Sequence, residues 1–170
     1  MLISKLSDSN NILFGTVKSG RNCPVPQIEN QVGMFIHTSP TYLMIDENQT
    51  FIHLIHELES FNRNSDYIDT RKLKKAVGFG VNQELYETIF IVDNYPEPNQ
   101  MDHIKDIEAN EQSNYPLSLS VAMDDKVHFK ISYSERLVSP DDIHLLSYWI
   151  EEVIQYVTKC DGDMLVEELI

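Results

Sequence analysis

The chain has 170 residues, 42% of them apolar, which is enough for one domain with a core of its own. Its 27 acidic residues outnumber 13 basic ones, and the formal net charge of -14 argues against DNA, RNA or an anionic membrane as partner, since those surfaces demand a basic footprint. Cys23 and Cys160 stand far apart with no CxxC or CxxH spacing and read as thiols of a reducing compartment. No stretch has the length of a signal-peptide core or the ~20 apolar residues of a membrane span, so a cytoplasmic chain is expected.

In chain order, "NILFGTV" (Asn11 to Val17) is a β-rich run, closed by "KSGRNCPVPQ", whose Gly20, Pro24 and Pro26 forbid regular structure. "VGMFIH" and "TYLMI" read as two further strands, broken by Pro40. In "TFIHLIHELESFNRN", Phe51, Leu54, Ile55, Leu58 and Phe61 share one helical face. "DTRKLKKAVG" is a short helix, capped by Asp69 or Thr70 and stopped by Gly78. A buried-type strand follows from Ile89 to Val92, ended by Asn94 and two prolines, and the acidic "MDHIKDIEANEQSN" reads as a crossing loop.

The last third carries the plainest pattern. Leu117, Leu119, Val121 and Met123 alternate with polar neighbours, as do Val127, Phe129, Ile131 and Tyr133, and "DDK" between them makes an antiparallel hairpin. "SPDD" then starts a helix: Ser139 is the N-cap, Pro140 takes the first turn, and Asp141 and Asp142 favour the positive end of the dipole. Ile143, Leu146, Ile150, Val153 and Val157 form its apolar stripe, with Trp149 beside it. The fold class is α/β with a mixed sheet.

Few residues suggest chemistry unaided. His53, His56 and Glu57 in "HLIHELES" lack the i, i+4 histidine pair of a zinc protease helix and fit a solvated face. Arg71, Lys72, Lys74 and Lys75 concentrate positive charge on one short helix, either as a wet face or as a docking patch for an acidic partner. Walker, GxGxxG and GxSxG motifs are absent, and no two histidines are adjacent.

Four segments resemble, in order, the C-terminal half of a condensation domain of nonribosomal peptide synthetases, in the chloramphenicol-acetyltransferase-like superfamily. "NILFGTVKSGRNCPVPQIENQVGMFIHTSP" is similar to the family's strand, SGR loop and V-G-x-F-[IV]-N-T motif. "QTFIHLIHELES" resembles the helix that follows, "LYETIFIVDNYP" the strand ending in N-Y-P, and "NYPLSLSVAMDDKVHFKISYSERL" the closing hairpin. The resemblance implies a half domain of that fold, a mixed sheet packed with helices, over residues 1–170 as a single C-terminal lobe with its N-terminal lobe absent. "MLISKLS" is similar to the tail of a helix that a longer domain would precede, and "CDGDMLVEELI" falls where such a domain gives way to its neighbour.

The resemblance also implies roles. His37 takes the family's Asn position at a strand end, beside Thr38, and is not the family's catalytic histidine. That histidine belongs to an H-H-x-x-x-D-G sequence, which this chain lacks. Ser19, Gly20 and Arg21 belong to a segment bridging two lobes under a tunnel, Arg21 as an interlobe salt bridge or a substrate contact. Asn94 and Tyr95 look toward the reacting thioester, or else merely close a turn. Tyr42 replaces a frequent Arg, and "NSDYID" reduces the family's H-Q-D-[YV]-P stretch. The implied partners are the N-terminal lobe, aminoacyl and peptidyl carrier proteins bearing phosphopantetheine, and an adjacent adenylation domain, with self-association as a further option; no cofactor or metal is bound directly. A noncatalytic stand-alone interaction module and a piece of a coenzyme A-dependent acyltransferase remain as alternatives.

Overall fold

Five strands form one sheet in the computed structural model, which describes residues 2–22, 25–65, 68–80, 82–93, 113–123, 125–159 and 163–169. The strands are β1 (Asn11–Lys18), β2 (His37–Met44), β3 (Thr88–Asp93), β4 (Leu117–Met123) and β5 (Val127–Tyr133). Their spatial order is β2-β1-β3-β4-β5; β1, β3 and β4 are parallel, and β2 and β5 run antiparallel on the outside. The expected mixed sheet is therefore present, and the hairpin of β4 and β5 pairs Leu117 with Tyr133 through to Met123 with Val127. Cys23, Cys160, Asn94, Tyr95 and the acidic stretch 101–112 lie outside the described residues.

One expectation is corrected. Residues 32–36 form no strand, and β2 is a single strand running through Pro40. Proline lacks an N–H, yet an edge strand has one side that needs no donor, and β2 is the sheet edge. Pro40 there faces Gly15 of β1. The apolar run before it has no sheet to enter: Val32 and Met34 are 104% and 96% exposed.

The helices form where their caps and stripes require. In α1 (Leu2–Ser7), the Ser7 hydroxyl donates to the Ile3 carbonyl. In α2 (Phe51–Asn64), the Thr50 side chain accepts from the His53 N–H, and Leu54 is buried while His53 and His56 stay in solvent. The cap of α3 (Thr70–Ala76) is Asp69, which accepts from Arg71 N and Lys72 N. Gly78, with φ of 77°, ends that helix in a conformation that favours glycine. In α4 (Pro140–Val157), Ser139 accepts from Asp142 N, and Leu146 and Ile150 are the buried part of the stripe.

The core lies on one face of the sheet. Ile12, Ile45, Leu54 and Val166 are buried together, with Ile3, Phe14 and Leu43 packed against them. Alternation sends Leu13, Tyr42 and Met44 to the opposite face, where they are exposed. The C-terminal segment contributes the largest fully buried side chain among the described residues: Val166 has no exposed surface. Its N–H donates to Gln49 O at 2.9 Å, and Phe51 N donates to Met164 O at 2.8 Å, tying that segment to the start of α2.

Candidate functional site

The register puts several singled-out residues at one end of the sheet. Lys18 pairs with His37 across β1 and β2, and the parallel pairing of Thr16 with Phe90 brings the C-terminal end of β3, Asp93, to the same end. The C-terminus of α2 closes this region from beside it. A helix C-terminus leaves carbonyls without intrahelical donors and favours a cation. Here the Lys18 ammonium donates to Asn62 O at 2.8 Å and to Ser65 Oγ at 3.1 Å. The buried Ser39 hydroxyl donates to Ser65 O at 2.9 Å.

A cavity of about 340 Å³ opens here, lined by Lys18, Ser19, Gly20, His37, Asn62 and Arg63 among others. Among the described residues no carboxylate lines it, which stands out in a chain of net charge -14. Asn62 Oδ1 is buried with no hydrogen-bond partner among the described residues. The His37 Nδ1 lies 3.3 Å from Phe35 O. A carbonyl only accepts, so this contact, as a hydrogen bond, places a proton on Nδ1.

The loop from Ser19 to Ile36 is organised around Arg21. Its guanidinium donates to the carbonyls of Ile28 at 2.6 Å, Gln31 at 3.1 Å and Glu29 at 3.5 Å, and its charge sits 4.6 Å from the centre of the Phe35 ring. These carbonyls belong to and follow a single 3-10 turn, Ile28–Asn30, whose Ile28 side chain is buried. Gly20 makes the approach possible. Its φ is 69°, and a Cβ there would fall about 2.0 Å from Phe35 O. In this chain the guanidinium is engaged by bonds within the loop itself.

On the β1 face beyond the cavity, Tyr86 lies where a side chain at residue 15 would stand: a Cβ on Gly15 would come within 2.3 Å of its ring and 2.7 Å of the Thr38 methyl. Tyr86 is buried, stacks on Tyr115 at 5.6 Å, and donates a long 3.5 Å bond to Thr38 O. Burial, with the neighbouring Tyr115 and Glu84 adding to it, pushes its phenol well above the ordinary tyrosine value. Thr38 thus serves as backbone acceptor and wall of this aromatic contact. Tyr42 donates to Asn11 Oδ1 at 2.8 Å.

Other candidates stand apart. His53 and His56 are exposed, 3.7 Å and 3.8 Å from Glu57 and Glu59, and no group of metal-ligating side chains occurs among the described residues. Within the basic helix α3, Lys74 donates to Glu84 at 2.8 Å, so part of its charge is already used. None of the described helices is long and apolar enough to cross a membrane. The Arg21 contacts and the Gly15–Tyr86 approach have no signal in the sequence beyond the glycines themselves.

The sequence pattern of the family described as "Condensation domain" matches residues 1–169. The chain belongs to the condensation domain family. It is similar to bacitracin synthase 3 of Bacillus licheniformis, 26% identical over 174 residues, covering 97% of this chain and 3% of that protein. Surfactin synthase subunit 3 of Bacillus subtilis (strain 168) is 29% identical over 146 residues, covering 81% and 11%. The condensation chain is thus a small part of the length of these synthases. Among solved structures, holo T3CT superimposes with a TM-score of 0.77 at 14% identity, over 96% of this chain and 40% of the other. The first condensation domain of the CDA synthetase gives 0.70 at 13% identity, over 99% and 39%. At these identities the structural likeness shows the fold: a five-stranded mixed sheet with helices, as in condensation domains.

Proposed function

We propose that the chain is the C-terminal, acceptor-side lobe of a condensation domain that joins carrier-bound aminoacyl and peptidyl thioesters through an amide bond. The supporting observation is the coverage: 96% of this chain accounts for only 40% of a solved chain of the same fold. In this reading the acceptor amine attacks the donor thioester carbonyl, the C–N bond forms, the C–S bond breaks, and the thiol of the donor phosphopantetheine leaves with the proton. Two lobes exclude water around that centre, which strengthens any donor aimed at the carbonyl oxygen as charge develops. Asn94, immediately after the end of β3, is the candidate donor, and Tyr95 stands beside it in the sequence. The cavity around His37, Ser19 and Gly20 belongs to the wall of the tunnel or of the interlobe contact. The partners are the N-terminal lobe, the carrier proteins and the neighbouring adenylation domain.

Alone, the chain lacks adjacent histidines and is inactive in this reading. The test mixes the isolated chain with loaded donor and acceptor carriers: no product forms above the uncatalysed rate, and product formation without another protein overturns the reading. In the intact domain, Asn94→Ala should slow single-turnover condensation roughly 5- to 150-fold, the worth of one lost donor of about 1–3 kcal/mol, with the urea midpoint nearly unchanged. An unchanged rate with a lowered midpoint makes Asn94 a turn residue.

A further inference from the structure

We propose that Arg21 is a positioning residue that acts through Phe35 on His37, so that the loop after β1 and the wall of the cavity form one unit. The inference rests on the reading of His37 as part of the substrate or interlobe wall, and it adds what holds that wall in place.

The geometry forms a continuous path. The guanidinium gathers the carbonyls of Ile28, Glu29 and Gln31 and stacks on the Phe35 ring at 4.6 Å. The carbonyl of Phe35 meets His37 Nδ1 at 3.3 Å, and His37 lines the cavity. Gly20, in the left-handed region, lets the backbone before Arg21 pass against that same carbonyl. A planar fork with several donors and a stacking face performs both jobs at once. Lysine has the charge but a single nitrogen, and cannot hold separated carbonyls while covering a ring.

The loop has little else to hold it. Residues 31–36 make no strand, and Val32, Met34 and Ile36 face solvent at 104%, 96% and 56% exposure, so ordinary apolar collapse does not define their course. The loop's anchors include the buried Ile28, the turn bonds from Asn30 N to Gln27 O and from Gln31 N to Ile28 O, and the Arg21 contacts. Removing the guanidinium should free the carbonyls to water and let Phe35 turn, and the ring of His37 loses its acceptor.

The experiment uses the 170-residue chain and NMR, reading the His37 ring resonances and the exchange rates of the Asn30 and Gln31 amides, which donate to Gln27 O and Ile28 O. Arg21→Ala and Arg21→Lys are compared with Thr50→Ala, which removes the cap at the far end of α2. Both Arg21 variants should exchange these amides at least about tenfold faster, as the loss of charge-assisted bonds implies. In both, the His37 resonances should move toward those of exposed His53, while Thr50→Ala changes neither. Unchanged His37 resonances in Arg21→Ala, wild-type behaviour of Arg21→Lys, or the same changes in Thr50→Ala overturn the proposal. A lost fold in Arg21→Ala leaves the decision to Arg21→Lys and to Phe35→Leu, which keeps the guanidinium and should still release His37. If His37 is released as expected but His37→Ala in an intact domain leaves turnover unchanged, the positioning stands and the functional reading of His37 falls.

Discussion

Ile12, Leu54 and Val166 hold their part of the chain by removing apolar surface from water; the described residues between Ser19 and Ile36 are held by the buried Ile28 together with one guanidinium, a few carbonyls and a glycine. The first kind of contact is non-directional, worth about 1.5–3 kcal/mol per large side chain, and indifferent to which hydrophobe supplies it. The second depends on single atoms at set distances. In the loop Ile28 is buried, while Val32, Met34 and Ile36 stand outside. An apolar letter alone therefore does not mean burial: Leu13, Tyr42 and Met44 of the sheet are exposed as well.

The comparison can be broken most directly in the core. Leu54→Ala should lower stability by about 2–5 kcal/mol, read as the urea midpoint, since it removes a buried side chain and leaves a void. A loss below about 1 kcal/mol would mean that the core is loose and the distinction from the loop false.

An intermediate effect is expected at Tyr86, packed against Gly15 and hydrogen-bonded to Thr38. Its folded-state phenol is raised above the ordinary 10.0, so the neutral ring contributes stability that is complete below pH 10 and lost as pH rises beyond it. Unfolding midpoints should fall more steeply between pH 10 and 11 in the unaltered chain than in Tyr86→Phe, with no such difference between pH 8 and 9. Equal slopes would show that Tyr86 ionises as easily folded as unfolded.

The smallest effect on stability sharpens the contrast. Replacing Val32, Met34 and Ile36 together by serine should change the urea midpoint by no more than about 0.5 kcal/mol, because these side chains are already in water. The same triple change should reduce self-association, measured by sedimentation at moderate salt, if this exposed run is part of what the remainder of a domain would cover. A large loss of stability would show that the run is packed in solution.

Alternation and caps make most elements legible: Ile12 and Phe14, Leu119 and Val121, Asp69, Ser139 and Thr50 each follow from local rules. Pairing is less so. Nothing local tells β1 to lie beside β3, far along the chain, as Gly15 beside Ile89 does. The run from Val32 to Ile36 misleads because its β propensity is real while its neighbours offer no sheet. Pro40 misleads because a break and an edge look alike in sequence. Of the site, the family resemblance marks Ser19, Gly20, Arg21, His37 and Thr38, but the targets of Arg21 are backbone carbonyls, which every residue carries and no sequence pattern advertises. Lys18 and Asn62 give no signal for the same reason: their meeting depends on where α2 ends in space.

The placement of Val166 bears on where this chain can be cut and rejoined. A seam drawn ahead of Met164, on the assumption that the chain has already finished its fold at the end of α4, would exchange away the fully buried Val166 and the carbonyl that receives Phe51 N. Any recombination that keeps this sheet must carry residues 164–168 with it, since their bonds to Gln49 and Phe51 close the core beside α2.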